Sequence, residues 1–175
     1  PPSAVLLTAK EQERLLKLLP FYLDSVREDL PESPRNRRML HQGASQVAET
    51  CHRFLEALLA VQMSEESLEI AVSLKDRNQL LSGLQETVND LAAAVERVRQ
   101  FADPESEPRV LAGNLVETLH LMLETLAEAA GQTDAELVMT LKALTADRSD
   151  LLHDIRRRLL AGGSMEPTVR ETVFD

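Results

Sequence analysis

Apolar residues along this chain recur at intervals of three and four, the period of an amphipathic helix, over most of its length. Behind Thr8, placed as an N-cap, Leu15, Leu18, Leu19 and Leu23 form a stripe that predicts a first helix running to about Leu30, before the punctuation of Pro31 and Pro34. Pro20 lies inside it and is placed to kink it. Leu40, Ala44, Val47, Cys51, Leu55 and Leu58 predict a second helix from Pro34 to about Val61. Ser64, with Glu65, Glu66 and Ser67, opens a third that reaches about Phe101, with Ser82-Gly83 as its candidate break. The run from Asp103 to Pro108 reads as a connector, and a fourth helix follows from about Arg109 to Ala130, closed by Gly131. Thr133 caps a fifth helix to about Ala161, ahead of Gly162-Gly163, and a sixth begins near Pro167. The expected fold class is therefore all-α: a helical bundle of five long helices plus a truncated sixth.

Two stretches nearly repeat. Glu49-Thr50-Cys51-His52 with Glu56 returns as Glu117-Thr118-Leu119-His120 with Glu124, and Asp76-Arg77-Asn78-Gln79-Leu80-Leu81 returns as Asp147-Arg148-Ser149-Asp150-Leu151-Leu152. The two echoes keep their order at an offset of roughly 70 residues, which predicts an internal duplication of helical units that share one core. The expected organisation is one helical domain: a leading helix in residues 1–33, one unit in 34–102 and a second in 107–175. A weaker echo, Gln85-Glu86-Thr87-Val88-Asn89-Asp90 with Arg170-Glu171-Thr172-Val173-Phe174-Asp175, would split the second unit at the insertion from Gly162 to Pro167.

Helical wheels at about 100° per residue place Cys51 and Leu119 at the centres of their stripes, His52 and His120 at the flanks, and Glu49 and Glu117 facing away from the core. On the third and fifth helices Arg77 and Arg148 fall near the centres of stripes made by Leu80, Leu81, Leu84 and Val88 and by Leu141, Leu144, Leu151, Leu152 and Ile155, with Asp76 and Asp147 beside them. A guanidinium at a bundle seam needs a carboxylate or helix-end carbonyls, so Asp76, Arg77, Asp147 and Arg148 are expected to form structural ion pairs.

Composition narrows the classes. Aromatics make up 3% and tryptophan is absent, so the core is aliphatic, and 43% hydrophobic residues over 175 positions suffice for it without a disulfide staple. Cys51, the single cysteine, reads as a buried free thiol in a reducing compartment. A formal net charge of −10 argues against nucleic-acid or anionic-lipid surfaces, which call for clustered Lys and Arg. The short Arg156-Arg157-Arg158 cluster sits where cations complement a helix C-terminus. No apolar run reaches the length of about 18 residues that spans a membrane, and the start does not read as a signal peptide. The opening Pro1-Pro2 and the apolar-periodic ending from Thr168 to Asp175 give the expectation of a piece of a larger parent, a membrane-embedded one included.

Chemistry is sparse in the pattern. Glu49 with His52 and Glu117 with His120 have the Glu-x-x-His spacing of a dinuclear metal bundle, yet the wheels aim them away from a shared interior. Glu86 with Asp90, and Glu171 with Asp175, set carboxylates one turn apart and are weak metal candidates against the plainer reading of solvated helix faces. Cys51 lacks an electropositive setting, and Gly162-Gly163-Ser164 lacks the lysine and strand of a phosphate loop. No catalytic residue, cofactor or enzymatic activity is expected.

The duplicated acidic helical units, with a Glu/Asp-x-x-x-Asp element in each, resemble the PhoU family from about Asn36 onward, and in particular the PhoU-like cytoplasmic tail of bacterial sodium/phosphate cotransporters. The resemblance implies a non-catalytic regulatory or interaction domain on the cytoplasmic side of the inner membrane. Its implied partner is a transmembrane transporter domain, in the same parent chain or separate; a homo-oligomer is left open. It also marks Glu86, Asp90, Glu171 and Asp175 as the positions where a metal cluster would bind, which gives the alternative reading of a metal-binding helical bundle. A scaffold or coiled-coil-like assembly domain is a third option, disfavoured by the short connectors.

Overall fold

The computed structural model describes residues 2–27 and 34–131; side chains are described within 5–27 and 34–130. Helix α1 spans Pro2–Leu18 and runs directly into a 3-10 segment, Leu19–Val26. Three more helices follow: α2, Pro34–Leu59; α3, Glu65–Phe101; and α4, Glu107–Gly131. Among the described residues there is no strand, so the all-α expectation holds. The expected fifth and sixth helices, and with them most of the expected second unit, fall on residues outside those described.

Each boundary has a local cause. Proline lacks the amide that an α-helix needs in its interior, so the α-helical pattern stops at Leu18 and the chain tightens into 3-10 geometry with Pro20 in its first turn. Thr8, expected as an N-cap, instead lies buried inside α1, because the helix starts six residues earlier at Pro2, where a missing N–H costs nothing. Arg27 turns extended and ends the segment short of the predicted Leu30. Ser64 caps α3 as expected, accepting from the backbone N–H of Ser67. Helix α3 is unbroken at Ser82-Gly83: a Cβ at Gly83 would meet nothing within 4 Å, so the glycine costs only its propensity. Between α3 and α4, Ser106 closes a turn onto the carbonyl of Asp103, and Arg109 Nη1 donates to the carbonyl of Arg99 at 3.1 Å, placing a cation at the end of α3.

The 3-10 segment packs against all four helices, and its Leu19, Tyr22, Leu23 and Val26 are 0–1% exposed. Fully burying such side chains stabilises by about 1.5–3 kcal/mol each relative to leaving them in water. The most extensive helix pairing is α2 against α3. The buried face of α3 is Ala71, Leu74, Asn78, Leu81, Gln85, Val88, Ala92, Val95 and Val98, with steps of three and four that alternate as far as Val95, the repeat of a coiled-coil seam. This face corrects the wheel. With Asn78 and Gln85 admitted to the stripe, the buried face turns by one residue from the one predicted: Leu80 is 76% exposed, and Asp76 and Arg77 lie exposed instead of at the seam. Arg77 therefore needs no buried partner; its charge is felt by Glu13 across the gap to α1. Asp147 and Arg148 lie outside the described residues.

The buried guanidinium belongs to Arg37 on α2, 5% exposed. Its Nη1 donates to the carbonyl and Oδ1 of Asn89 at 2.8 and 3.1 Å, and its Nη2 to Glu96 Oε2 at 2.8 Å, so it bolts α2 to α3. Higher in the same bundle Gln12 Nε2 donates to the carbonyl of Leu74 at 2.8 Å, and Asn78 Nδ2 to the carbonyl of Ala48 at 3.0 Å. These side-chain amides join α1, α2 and α3 through a polar layer inside an otherwise aliphatic core.

Candidate functional site

Two histidine settings, one on each echo of the sequence, are built differently. His120 was expected at the flank of α4, but the buried stripe is Val116, His120, Leu123 and Ala127, one residue around from the stripe centred on Leu119. The 3-10 segment folds over it. Asp24 Oδ1 lies 3.5 Å from His120 Nε2, Glu124 Oε2 lies 3.6 Å from Nδ1, and Arg27 Nη1 is 3.3 Å from Nε2. Arg27 also donates through Nε and Nη2 to the two oxygens of Glu117, at 3.1 and 3.0 Å. That bidentate bond to Glu117 holds the Arg27 guanidinium still further above its ordinary value. A neutral imidazole has one N–H and can serve only one of its two carboxylates, so the cluster fastens the 3-10 segment to α4 whichever ring nitrogen carries the proton. Beside it a cavity of about 380 Å³ opens between Lys17, Phe21, His120 and Glu124.

His52 stays at the flank of α2, as the wheel placed it. Its Nε2 is 3.3 Å from Glu56 Oε1, and Lys75 Nζ of α3 is 3.5 Å from that same oxygen, a surface relay from α2 to α3. Glu49 is exposed and accepts from Arg53 Nε at 2.7 Å. Next to His52, a second cavity of about 380 Å³ runs along the α2–α3 groove, with Ser45, Glu49, Ser82, Gln85 and Glu86 in its wall. It exists because α2 presents the small Ser45 and Ala48 to α3 at this level. The Gln85 Nε2 is buried and has no hydrogen-bond partner.

The metal candidates do not converge. Glu86 and Asp90 are both exposed on α3, and Glu86 Oε1 lies 3.4 Å from His41 Nε2. Among the described residues no three of His, Cys, Asp and Glu are grouped so as to hold a metal ion; Glu171 and Asp175 lie outside those residues. Cys51 is 7% exposed, and burial pushes its thiol above the ordinary range, away from the thiolate that nucleophilic chemistry needs.

Two constellations escaped the sequence reading. Tyr22, fully buried, meets His41 Nδ1 at 3.1 Å with the rings edge to face, and His41 reaches on to Glu86, so the 3-10 segment, α2 and α3 are linked in series. Burial, with a smaller effect from Glu86, pushes the Tyr22 phenol up to about 12. Arg37 is the other. Its spacing of seven from Ala44 and again to Cys51 was the available signal that a cation sits on the core face.

One surface is apolar. On the outer side of α3, Leu68, Val72 and Leu80 are 43%, 43% and 76% exposed and border a hollow of about 640 Å³ together with Asp76 and Arg77. No helix among the described residues is long and apolar enough to cross a membrane. Compared with protein-family models, with curated proteins and with solved structures, the chain shows no significant match in any of the three.

Proposed function

We propose that this chain is a non-catalytic regulatory or interaction module, PhoU-like in its duplicated units, which acts on the cytoplasmic side of the inner membrane on a sodium-dependent phosphate transporter. The observation that carries the reading is the apolar row Leu68, Val72 and Leu80 on α3, displayed on a strongly acidic helical bundle. Exposed apolar side chains in register on one helix fit docking against another helix, while the negative charge disfavours phosphate-bearing polymers and anionic lipid as the partner. The sequence echoes and the acidic Glu86-x-x-x-Asp90 element support the family assignment.

The test is sodium-dependent phosphate uptake by the parent or partner transporter carrying Leu68→Ser, Val72→Ser and Leu80→Ser together. All three positions are exposed, so helicity and thermal midpoint stay as they are while uptake or its regulation changes. Uptake and transporter association that match the unmodified protein would remove this surface, and with it the support for the reading.

A further inference from the structure

We propose that His120 is a proton-operated exchange between two anchors of the 3-10 segment: neutral, it ties Arg27 to α4; protonated, it gives up Arg27 Nη1 and takes Asp24. The inference is independent of the transporter reading and rests on how the two residues share one ring nitrogen.

Side chains three apart eclipse in a 3-10 turn, so Asp24 in the last turn and Arg27, the residue that ends it, reach the same imidazole on α4. Arg27 Nη1 is 3.3 Å and Asp24 Oδ1 3.5 Å from His120 Nε2. The two groups make opposite demands on that nitrogen. The guanidinium only donates and needs a bare Nε2, while the ionised carboxylate only accepts and needs an N–H there. In the neutral imidazole the bond from Arg27 leaves the proton on Nδ1, which faces Glu124 Oε2 at 3.6 Å. A second proton has only Nε2 to occupy. It sets N–H against N–H, ends the bond from Arg27 and turns the same nitrogen toward Asp24.

The surroundings are built to take that added charge. Asp24 from the 3-10 segment and Glu124 from α4 face the ring, and each then meets an N–H of its own. Other charges nearby are matched in pairs, Arg27 with Glu117 through Nε and Nη2, and Lys17 of α1 with Glu13 at 2.6 Å. Glu128 adds a negative charge in the wall of the adjoining cavity. Among the described residues α2 does not pack against α4, and α3 places no charged side chain in that wall. His120 is only 8% exposed, and the cavity beside it is the route for the proton. Because Arg27 keeps both bonds to Glu117, the exchange moves the hold on the segment by one turn without releasing it from α4.

The test is NMR of the full chain with 15N-labelled histidine and arginine, from about pH 8 to about pH 5, the range in which imidazoles exchange their proton. His120→Gln assigns the His120 signals by their absence. At the alkaline end His120 should carry its proton on Nδ1 and show a through-bond coupling between Nε2 and Arg27 Nη1. Acid should remove that coupling and bring up an Nε2–H signal, while the Arg27 Nε–H signal, bonded to Glu117, stays in place. Arg27→Met, with helicity checked by circular dichroism, deletes the donor and keeps both carboxylates; its neutral His120 should move to the Nε2–H tautomer, so that the change at Nε2 is lost. The tautomer of the unmodified chain decides the matter even where that variant fails to fold. A neutral Nε2–H form in the unmodified chain, a coupling to Arg27 that persists in acid, or an Nδ1–H tautomer that survives Arg27→Met would each overturn the proposal. So would loss of the Arg27 Nε–H signal together with the coupling, because acid would then unfasten the whole cluster.

Discussion

Arg37 gives the sharpest test of how this bundle is held together. Replacing it with alanine removes three charge-assisted contacts to Asn89 and Glu96 and leaves Glu96 facing the seam without its cation. Breaking a fully buried pair in this way costs about 3–5 kcal/mol. Glu96 keeps 24% exposure, so its abandoned carboxylate regains part of its hydration, and the expected cost falls to about 2–4 kcal/mol. For a chain of this size that lowers the thermal midpoint by about 5–12 °C.

Two controls separate the pair from general damage. Arg37→Met keeps the stem that packs along the seam and discards the charge along with its unpartnered Nε, so it should cost clearly less than Arg37→Ala. Arg77→Ala, on the exposed side of α3, should stay within about 0.5 kcal/mol of the parent. Chemical denaturation followed by far-UV circular dichroism, with an Arg37/Glu96 double-mutant cycle, measures all of them. If Arg37→Ala costs no more than Arg77→Ala, or the cycle shows no coupling, the guanidinium is not a bolt between α2 and α3 and the assignment of the seam is wrong.

Three further outcomes follow from single groups. Tyr22 is the sole tyrosine, so its titration can be read directly by absorbance; folded, it should ionise near pH 12. Because its phenol is raised above the unfolded value of about 10, its contribution to stability is complete below that value and fades as pH climbs toward 12, by up to about 2–3 kcal/mol. Denaturation at a series of alkaline pH values checks this, and a phenolate signal already complete near the ordinary tyrosine value would contradict the burial. Gly43→Ala and Gly83→Ala add a methyl group where nothing lies within 4 Å, and each should stabilise its helix by about 0.5–1 kcal/mol; a loss in either would mean that the surface there is occupied. Cys51 should resist alkylation until the protein unfolds, and Cys51→Ser, which buries a hydroxyl, should cost about 1–3 kcal/mol, more than Cys51→Ala; rapid labelling of the folded protein would place the thiol outside the core.

The helices were legible because their ends are written in residues that act locally. Ser64 caps α3, Pro104 precedes α4 and Pro108 sits in its first turn, and Pro20 marks where α-helix gives way to 3-10. Faces were legible where the stripe is purely apolar: Leu40, Ala44, Val47, Cys51, Leu55 and Leu58 turn inward on α2 as their spacing required. On α3 and α4 the same method erred by one residue. It ranked Leu80 as core and Leu119 as the centre of its stripe because they are leucines, whereas Leu80 is exposed, Leu119 packs at the margin of the core, and the tertiary packing buried Asn78, Gln85 and His120. A wheel weighted by hydropathy cannot favour a polar residue over a leucine beside it; only the partner does that, and the partners come from elements far away in the chain, such as Gln12 for Asn78 and Asp24 for His120.

Those misread positions share a pattern that accounts for them. Ala71, Asn78, Gln85 and Ala92 follow one another at intervals of seven on α3, so small and amide side chains hold one edge of the seam while Leu74, Leu81, Val88 and Val95 hold the other. An aliphatic seam tolerates sliding by a turn at little cost, because one leucine packs much like the next. An amide that must meet a particular carbonyl does not, and Asn78 meets the carbonyl of Ala48 only in one register of α2 against α3. Small residues opposite these amides also keep the helices from closing over them, which leaves the groove at Ser45 and Ser82 open. Register and groove thus have one origin. Replacing Asn78 and Gln85 together with leucine should fill the seam and loosen its register at the same time, which double-label distance measurements between α2 and α3 would detect as a broadened distribution; a single sharp distance would show that Arg37 and the 3-10 segment set the register without the amides.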